Sequence, residues 1–337
     1  MKTKLLIEQH FHGCFGIDFN TATVEDILYL SKEILKYGIG GIFPTIVTDS
    51  IENTKRAIST IKKAATHKTP DMAQIFGIHL EGIFLNPEKK GIHNPEHFLK
   101  PTVENYRFIE DDFIKIVTLA PEQTLSPLPL GEGGILNESA NCKNQGEGLI
   151  DYLNQKGVKV QAGHCTSGNL TGCTGVTHLF NAMSGITHRG SSTALSALIN
   201  DIYTEIIADG IHVSDDALKL VFKTKPLDKI ILISDCLPCT AFFPRLNGVQ
   251  SEGGYEFTFA DEKVYYDGTK ATSKEGTIAG STNLLPAIIK RIKNANVIAS
   301  ESEAIQLINN PYQYHNIDLD GYIEWDEEWN IINYEKR

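Results

Sequence analysis

Short apolar runs rich in Ile and Val alternate along the chain with amphipathic stretches of helical period, the pattern of βαβ units wrapped on a parallel sheet. Strands are predicted over 5–11, 40–47, 73–80, 113–119, 158–162, 175–180, 203–208 and 229–234. Helices are predicted between and after them, at 24–37, 50–65, 148–156, 194–199, 215–222 and 283–292. In the first helix Ile27, Leu28, Leu30, Ile34 and Leu35 recur at helical spacing, and Gly38 supplies a stop.

Run by run, the apolar stretch ends in ionisable residues and then a loop: His10 and His12, His79 and Glu81, His164, His178, Asp209 with His212, and Asp235. In a closed barrel the carboxyl ends of all strands meet on one face, so remote residues gather there; an open sheet would spread them along a crevice. The expected fold is therefore α/β, a (β/α)8 barrel of the TIM type. It should occupy 1–300, with a Gly- and Tyr-rich β-hairpin excursion at about 247–272. Residues 301–337 combine a helix at 302–309 with an aromatic, strand-like tail at 317–334, and are expected to form a reduced small β-module on the barrel.

Composition narrows the function classes. At 337 residues, 41% hydrophobic and 22% charged, the chain can bury a full core. No apolar run approaches the roughly 20 residues that span a bilayer. The opening Met1-Lys2-Thr3-Lys4 lacks a signal-peptide layout, so a cytoplasmic location is expected. A net charge of −11 argues against nucleic acid or an anionic membrane as partner, and any anionic substrate must be met by a local basic cluster. The six cysteines, Cys14, Cys142, Cys165, Cys173, Cys236 and Cys239, are too scattered for a disulfide framework and read as free thiols. Cys236-Leu-Pro-Cys239 has the spacing of a redox or zinc motif, but no second pair accompanies it.

His10 and His12, two apart on a strand, point to one face and can share a metal ion, although an H-x-H alone also fits two ordinary polar residues. Glu81, His164 and His178 read singly as a loop carboxylate and satisfied histidines. Together with His10 and His12 they form an N/O set at strand ends suited to Zn²⁺ or Fe²⁺. Asp235 closes the apolar run Ile230-Ile231-Leu232-Ile233-Ser234 and needs a metal, a water or a cation beside it; a helix N-cap or a salt bridge is the plainer alternative. As a functional group it would be the general base and acid of a hydrolysis. His93 and His212 lie in loops after strands, placed either to bind substrate or to face solvent.

Longer motifs carry a resemblance. They are His10-Phe-His-Gly-Cys-Phe-Gly-Ile-Asp-Phe19, His79-Leu-Glu-Gly-Ile-Phe-Leu-Asn-Pro-Glu-Lys-Lys-Gly-Ile-His93, Thr118-Leu-Ala-Pro-Glu122, Thr177-His-Leu-Phe-Asn-Ala-Met183, Ile207-Ala-Asp-Gly-Ile-His-Val213 and Gly276-Thr-Ile-Ala-Gly-Ser281. In this order they resemble the N-acetylglucosamine-6-phosphate deacetylase family of the amidohydrolase superfamily. The resemblance implies that Glu81, His164 and His178 hold a catalytic Zn or Fe ion, with room for a second at His10 and His12, and that Asp235 shuttles the proton. It implies that His93, Asn181, Ala182, Arg189, His212, Ile278, Ala279 and Gly280 meet the sugar phosphate, with the arginine able to serve a neighbouring subunit in a homodimer. The implied reaction is metal-dependent deacetylation of N-acetylglucosamine 6-phosphate to glucosamine 6-phosphate and acetate.

Three features depart from the family pattern. The family carries a longer segment before strand one, which leaves the small β-module here reduced. The arginine segment reads Thr-His-Arg-Gly-Ser without the family's Glu-Pro-Gly, and Asp235 is followed by Cys-Leu-Pro-Cys instead of small residues. Alternatives are an amidohydrolase acting on another N-acyl sugar, such as N-acetylgalactosamine 6-phosphate, or a non-catalytic metal-binding scaffold. A dihydroorotase-like enzyme would bridge its metals with a lysine closing strand four, where Ile114-Lys-Ile-Val-Thr-Leu-Ala-Pro-Glu122 offers none; Glu81 is the available bridge.

Overall fold

The computed structural model describes residues 1–124, 148–241, 250–251 and 254–337; Cys142 and part of the expected hairpin excursion lie outside them. Parallel strands β1 (Leu6–Phe11), β2 (Ile39–Val47), β3 (Ile78–Glu81), β4 (Ile114–Leu119), β5 (Lys159–Ala162), β6 (Gly175–Val176), β7 (Tyr203–Ile207) and β8 (Ile230–Ile233) pair in chain order. The edges of this sheet return to each other. Asp235 N–H donates to the His10 carbonyl at 2.9 Å, and His12 N–H donates to the Cys236 carbonyl at 2.9 Å. The result is the expected near-closed (β/α)8 barrel. At its seam Ser234 N–H donates to the Glu8 carboxyl at 3.2 Å, and burial pushes that carboxyl up to about 8.

The helices are α1 (Val24–Leu35), α2 (Ile51–Ala64), α3 (Val103–Arg107), α4 (Leu149–Gln155), α5 (Thr193–Ile199), α6 (Asp215–Thr224), α7 (Leu285–Asn294) and α8 (Glu301–His315). Local sequence explains their limits. Thr23 and Asp26 close a capping box at the start of α1, a contribution of about 1 kcal/mol. The helix buries Ile27, Leu30, Ile34 and Leu35 and ends before Gly38, whose φ of +71° favours glycine. The short α3 was outside the predicted set, because five residues are too few to display a helical period.

Two smaller sheets complete the chain. Gln250–Ser251, Gly254–Phe259, Glu262–Tyr266, Ala271–Ser273 and Ile278–Gly280 form an antiparallel sheet over the carboxyl face of the barrel, where Phe257, Phe259 and Val264 pack with Val47, Ile92 and Leu237. The other sheet joins Lys2–Thr3 to Gly321–Trp325 and Ile331–Lys336. Helix α8 lies across the opposite end of the barrel. There the Tyr312 hydroxyl donates to the Leu5 carbonyl at 2.8 Å, and the Asn310 amide caps the carbonyls of Leu227 and Ile230 at 2.7 and 2.6 Å. Among the described residues no helix is long and apolar enough to cross a membrane.

Candidate metal centre and active site

Strand parity puts His10 on the inner face of β1 and carries His12, just past its end, to the same side; both are buried. β3 brings Glu81 opposite them. The loops after β5 and β6 turn His164 and His178 inward with φ of +48° and +29°, and Asp235 after β8 has φ +50°. Non-glycine residues in this region cost on the order of 1–3 kcal/mol each and persist where surrounding structure imposes them. Here that conformation aims three side chains from the strand ends at one spot.

Glu81 divides its two oxygens between two histidine pairs. Oε1 lies 2.9 Å from His178 Nε2 and 3.3 Å from His164 Nε2; Oε2 lies 3.0 Å from His12 Nε2 and 3.4 Å from His10 Nε2. Asp235 Oδ1 stands 3.2 Å from His12 Nε2 and 3.4 Å from His10 Nε2. His164 and His178 bring their Nε2 atoms within 3.2 Å of each other. Such a cluster demands charge compensation. Burial opposes ionisation of Glu81, yet His10 and the other histidines hold its carboxyl well below the usual carboxylate range. Asp235 is also buried, and His10 and His12 hold its carboxyl low. Burial likewise opposes charge on His12, but its hydrogen bonds to Asp235 and Glu81 raise it to about 9. Positive charge is thus called for among these carboxylates, and either protons or a cation can supply it.

The donor set fits a divalent cation. Ligand atoms of Glu81, His164 and His178 lie within 4.8 Å of one another, as do those of His10, His12 and Glu81. His10 Nε2 is buried without a hydrogen-bond partner. His164 and His10 have the outer hydrogen bond expected behind a metal-ligating histidine, whereas Nδ1 of His12 and Nδ1 of His178 are buried without a partner. His164 Nδ1–H donates to the Lys89 carbonyl at 2.8 Å, which directs its Nε2 toward Glu81. Glu122 braces the loops from outside, accepting from the Asn86 amide at 2.8 Å and Thr166 N–H at 2.7 Å.

A cavity of ≈ 620 Å³ opens over this cluster. Among the sequence-predicted substrate residues, His93, Asn181, Ala182, His212, Ile278, Ala279 and Gly280 line it. His93 sits 3.7 Å from Glu81 Oε2 with Nδ1 on Thr48 Oγ1 at 2.8 Å; burial and the neighbouring His164 keep it neutral. His212 Nδ1 is held by Asp209 at 2.8 Å. Arg189 is exposed and absent from the lining. His79 lies deeper in the barrel, against the Gln9 carbonyl at 3.2 Å and Thr118 Oγ1 at 2.8 Å. The described cysteines are free and buried, and burial pushes Cys239 up to about 12, far from a reactive thiolate.

Sequence reading passed over Lys89 and Lys90, which line the cavity, and Glu205, which stands behind His10. The lysines were in the quoted motif. Glu205 had a signal too, a lone acid inside the apolar run Ile202–Ile207.

No family model matches the chain. The N-acetylglucosamine-6-phosphate deacetylase of Bacillus subtilis is 31% identical over 290 residues, covering 82% of this chain and 65% of the relative. That of Haemophilus influenzae is 29% identical over 342 aligned residues, covering 97% of this chain and 80% of the relative. The chain belongs to the N-acetylglucosamine-6-phosphate deacetylase family. The fold of this family member agrees with the crystal structure of the Pasteurella multocida N-acetylglucosamine-6-phosphate deacetylase, at a TM-score of 0.82 and 24% identity over 99% of this chain and 85% of that one. This deacetylase-family chain therefore matches about two thirds of the length of its Bacillus relative.

Proposed function

We propose that the protein is a metal-dependent deacetylase that converts N-acetylglucosamine 6-phosphate to glucosamine 6-phosphate and acetate. The observation that carries this reading is Glu81 facing two histidine pairs beside Asp235, on the floor of a cavity lined by lysines and histidines. Glu81, His164 and His178 would hold a Zn or Fe ion, and His10 with His12 would hold a second. When bound, the ion supplies Lewis acidity and lowers the pKa of water toward roughly 7.

The chain's own residues supply the rest. Asp235 is the carboxylate that accepts a proton from the attacking water and later delivers it to the amine as the amide C–N bond breaks. His93, neutral and close to Glu81, is placed to donate to the carbonyl oxygen as it gains charge. Asn181, Ala182, His212 and the Ile278–Gly280 backbone would position the sugar phosphate. Arg189 would act across a homodimer, which its exposure outside the cavity of its own chain favours. Burial of the free thiols suits a reducing, cytoplasmic setting.

The test is acetate release from N-acetylglucosamine 6-phosphate by purified protein with Zn²⁺, Fe²⁺ or chelator, beside the unphosphorylated sugar. Metal-dependent release confined to the phosphorylated substrate is expected. No release with any metal would refute the reading.

A further inference from the structure

Glu205 is a carboxylate 1% exposed, in the middle of β7. A buried carboxylate is costly unless hydrogen bonds meet its oxygens. Both oxygens are met: Oε2 lies 3.0 Å from His10 Nδ1, and Oε1 accepts from the Gln9 amide at 2.6 Å. An ionised carboxylate only accepts, so His10 carries a proton on Nδ1 and presents Nε2 to the opposite side. That Nε2 has no hydrogen-bond partner, and a buried nitrogen left unmet is destabilising. It faces Glu81 Oε2 and Asp235 Oδ1, each at 3.4 Å, next to His12 Nε2, which is 3.0 and 3.2 Å from the same oxygens.

We propose that Glu205 is the positioning residue that commits this site to two ions, by fixing His10 in the tautomer whose Nε2 can ligate the second ion beside His12, Glu81 and Asp235. The inference rests on the metal assignment made under the proposed function. Glu205 does not touch the cavity; it acts through His10. The nearby His79 does not compete for it, because both ring nitrogens of His79 already face the Gln9 carbonyl and Thr118 Oγ1.

The chain behind Glu205 fixes its polarity. His315 Nε2 faces Gln9 Oε1 at 2.9 Å and donates to it, so the Gln9 amide nitrogen turns toward Glu205. This orientation decides what an isosteric change does. In Glu205→Gln the new carbonyl must stay opposite the Gln9 donor, and the new amide nitrogen must face His10 Nδ1. The imidazole would then accept at Nδ1 and carry its proton on Nε2, which cannot bind a metal. Exchanging the pair, Gln9→Glu with Glu205→Gln, reverses the polarity. The carboxylate introduced at position 9 accepts from both His315 and the amide nitrogen introduced at position 205, and the carbonyl of that new amide again accepts from His10.

The experiment is elemental analysis and Zn²⁺ titration of the purified full chain, with circular dichroism to verify folding. The wild type should bind two ions per chain. Glu205→Gln should keep one and bind the second about 10–100-fold more weakly. The exchanged double variant should regain two, a rescue that a purely space-filling role would not give. A wild type that takes one ion, a Glu205→Gln protein that takes two with unchanged affinity, or a folded double variant that takes only one would each overturn the proposal. If Glu205→Gln does not fold, the double variant decides alone. Ion count is read without substrate, so failure of the deacetylase reading, seen as absent acetate release, is separate from failure here.

Discussion

His12 and Asp235 meet twice: their side chains approach at 3.2 Å, and one residue along, the Cys236 carbonyl accepts from His12 N–H at 2.9 Å. The joint that closes the barrel is also the joint that places the proposed acid–base group. Asp235→Asn keeps the shape of the side chain and the backbone seam while removing the proton acceptor. It should fold and retain metal, with turnover lower by a factor of about a hundred or more. Near-normal turnover in that variant would remove Asp235 from the proton-transfer role.

His178 has a narrower task. Its Nε2 is 2.9 Å from Glu81 Oε1 and 3.2 Å from His164 Nε2. His178→Ala should therefore lose the ion proposed for Glu81, His164 and His178, seen as lower metal content in elemental analysis of protein purified without added chelator. Unchanged metal content would show that the ligand assignment is wrong.

Much of this arrangement was legible in the sequence because it follows a period. The two-residue repeat put His10 and His12 on one face, and the alternation of runs put Glu81, His164, His178 and Asp235 at ends that a barrel must gather. What was not legible depends on contacts across the barrel. Gln9 and Glu205 are 196 positions apart, and only closure of the barrel brings them together. The helix predicted at 302–309 continues to His315 through Pro311, which a local reading takes as a stop. That extra length delivers Tyr314 and His315 to the barrel floor. The left-handed backbone at His164, His178 and Asp235 has no signature in residue type, since packing imposes it.

Arg189 is the candidate phosphate residue that the cavity of its own chain leaves out. Lys89 lines the cavity of its own chain, whereas Arg189 is exposed and outside that lining. If Arg189 reaches a neighbouring site, Arg189→Ala should raise KM for the phosphorylated substrate well above its effect on the unphosphorylated sugar, with kcat changed less. Equal effects on both substrates would exclude a phosphate role for this arginine.

His315 gives the fold a pH dependence whose sign can be worked out. Its ring stacks on Phe43 at 4.2 Å, and burial lowers its pKa from 6.5 to about 3. Between those values the unfolded chain binds a proton that the folded chain does not, so stability is full above pH 6.5 and falls as the pH drops toward 3. Each such residue contributes a slope of at most about 1.4 kcal/mol per pH unit across that window. Burial lowers His79 to about 3 as well, so it adds to the same trend. His315→Asn removes one titrating ring. Its absolute stability should be lower through lost stacking, but urea unfolding at about pH 6.5, 5.5 and 4.5 should give a shallower decline than the wild type. Parallel declines in the two proteins would mean that His315 titrates alike in the folded and unfolded chains, and that its burial on the barrel floor is not the source of acid sensitivity.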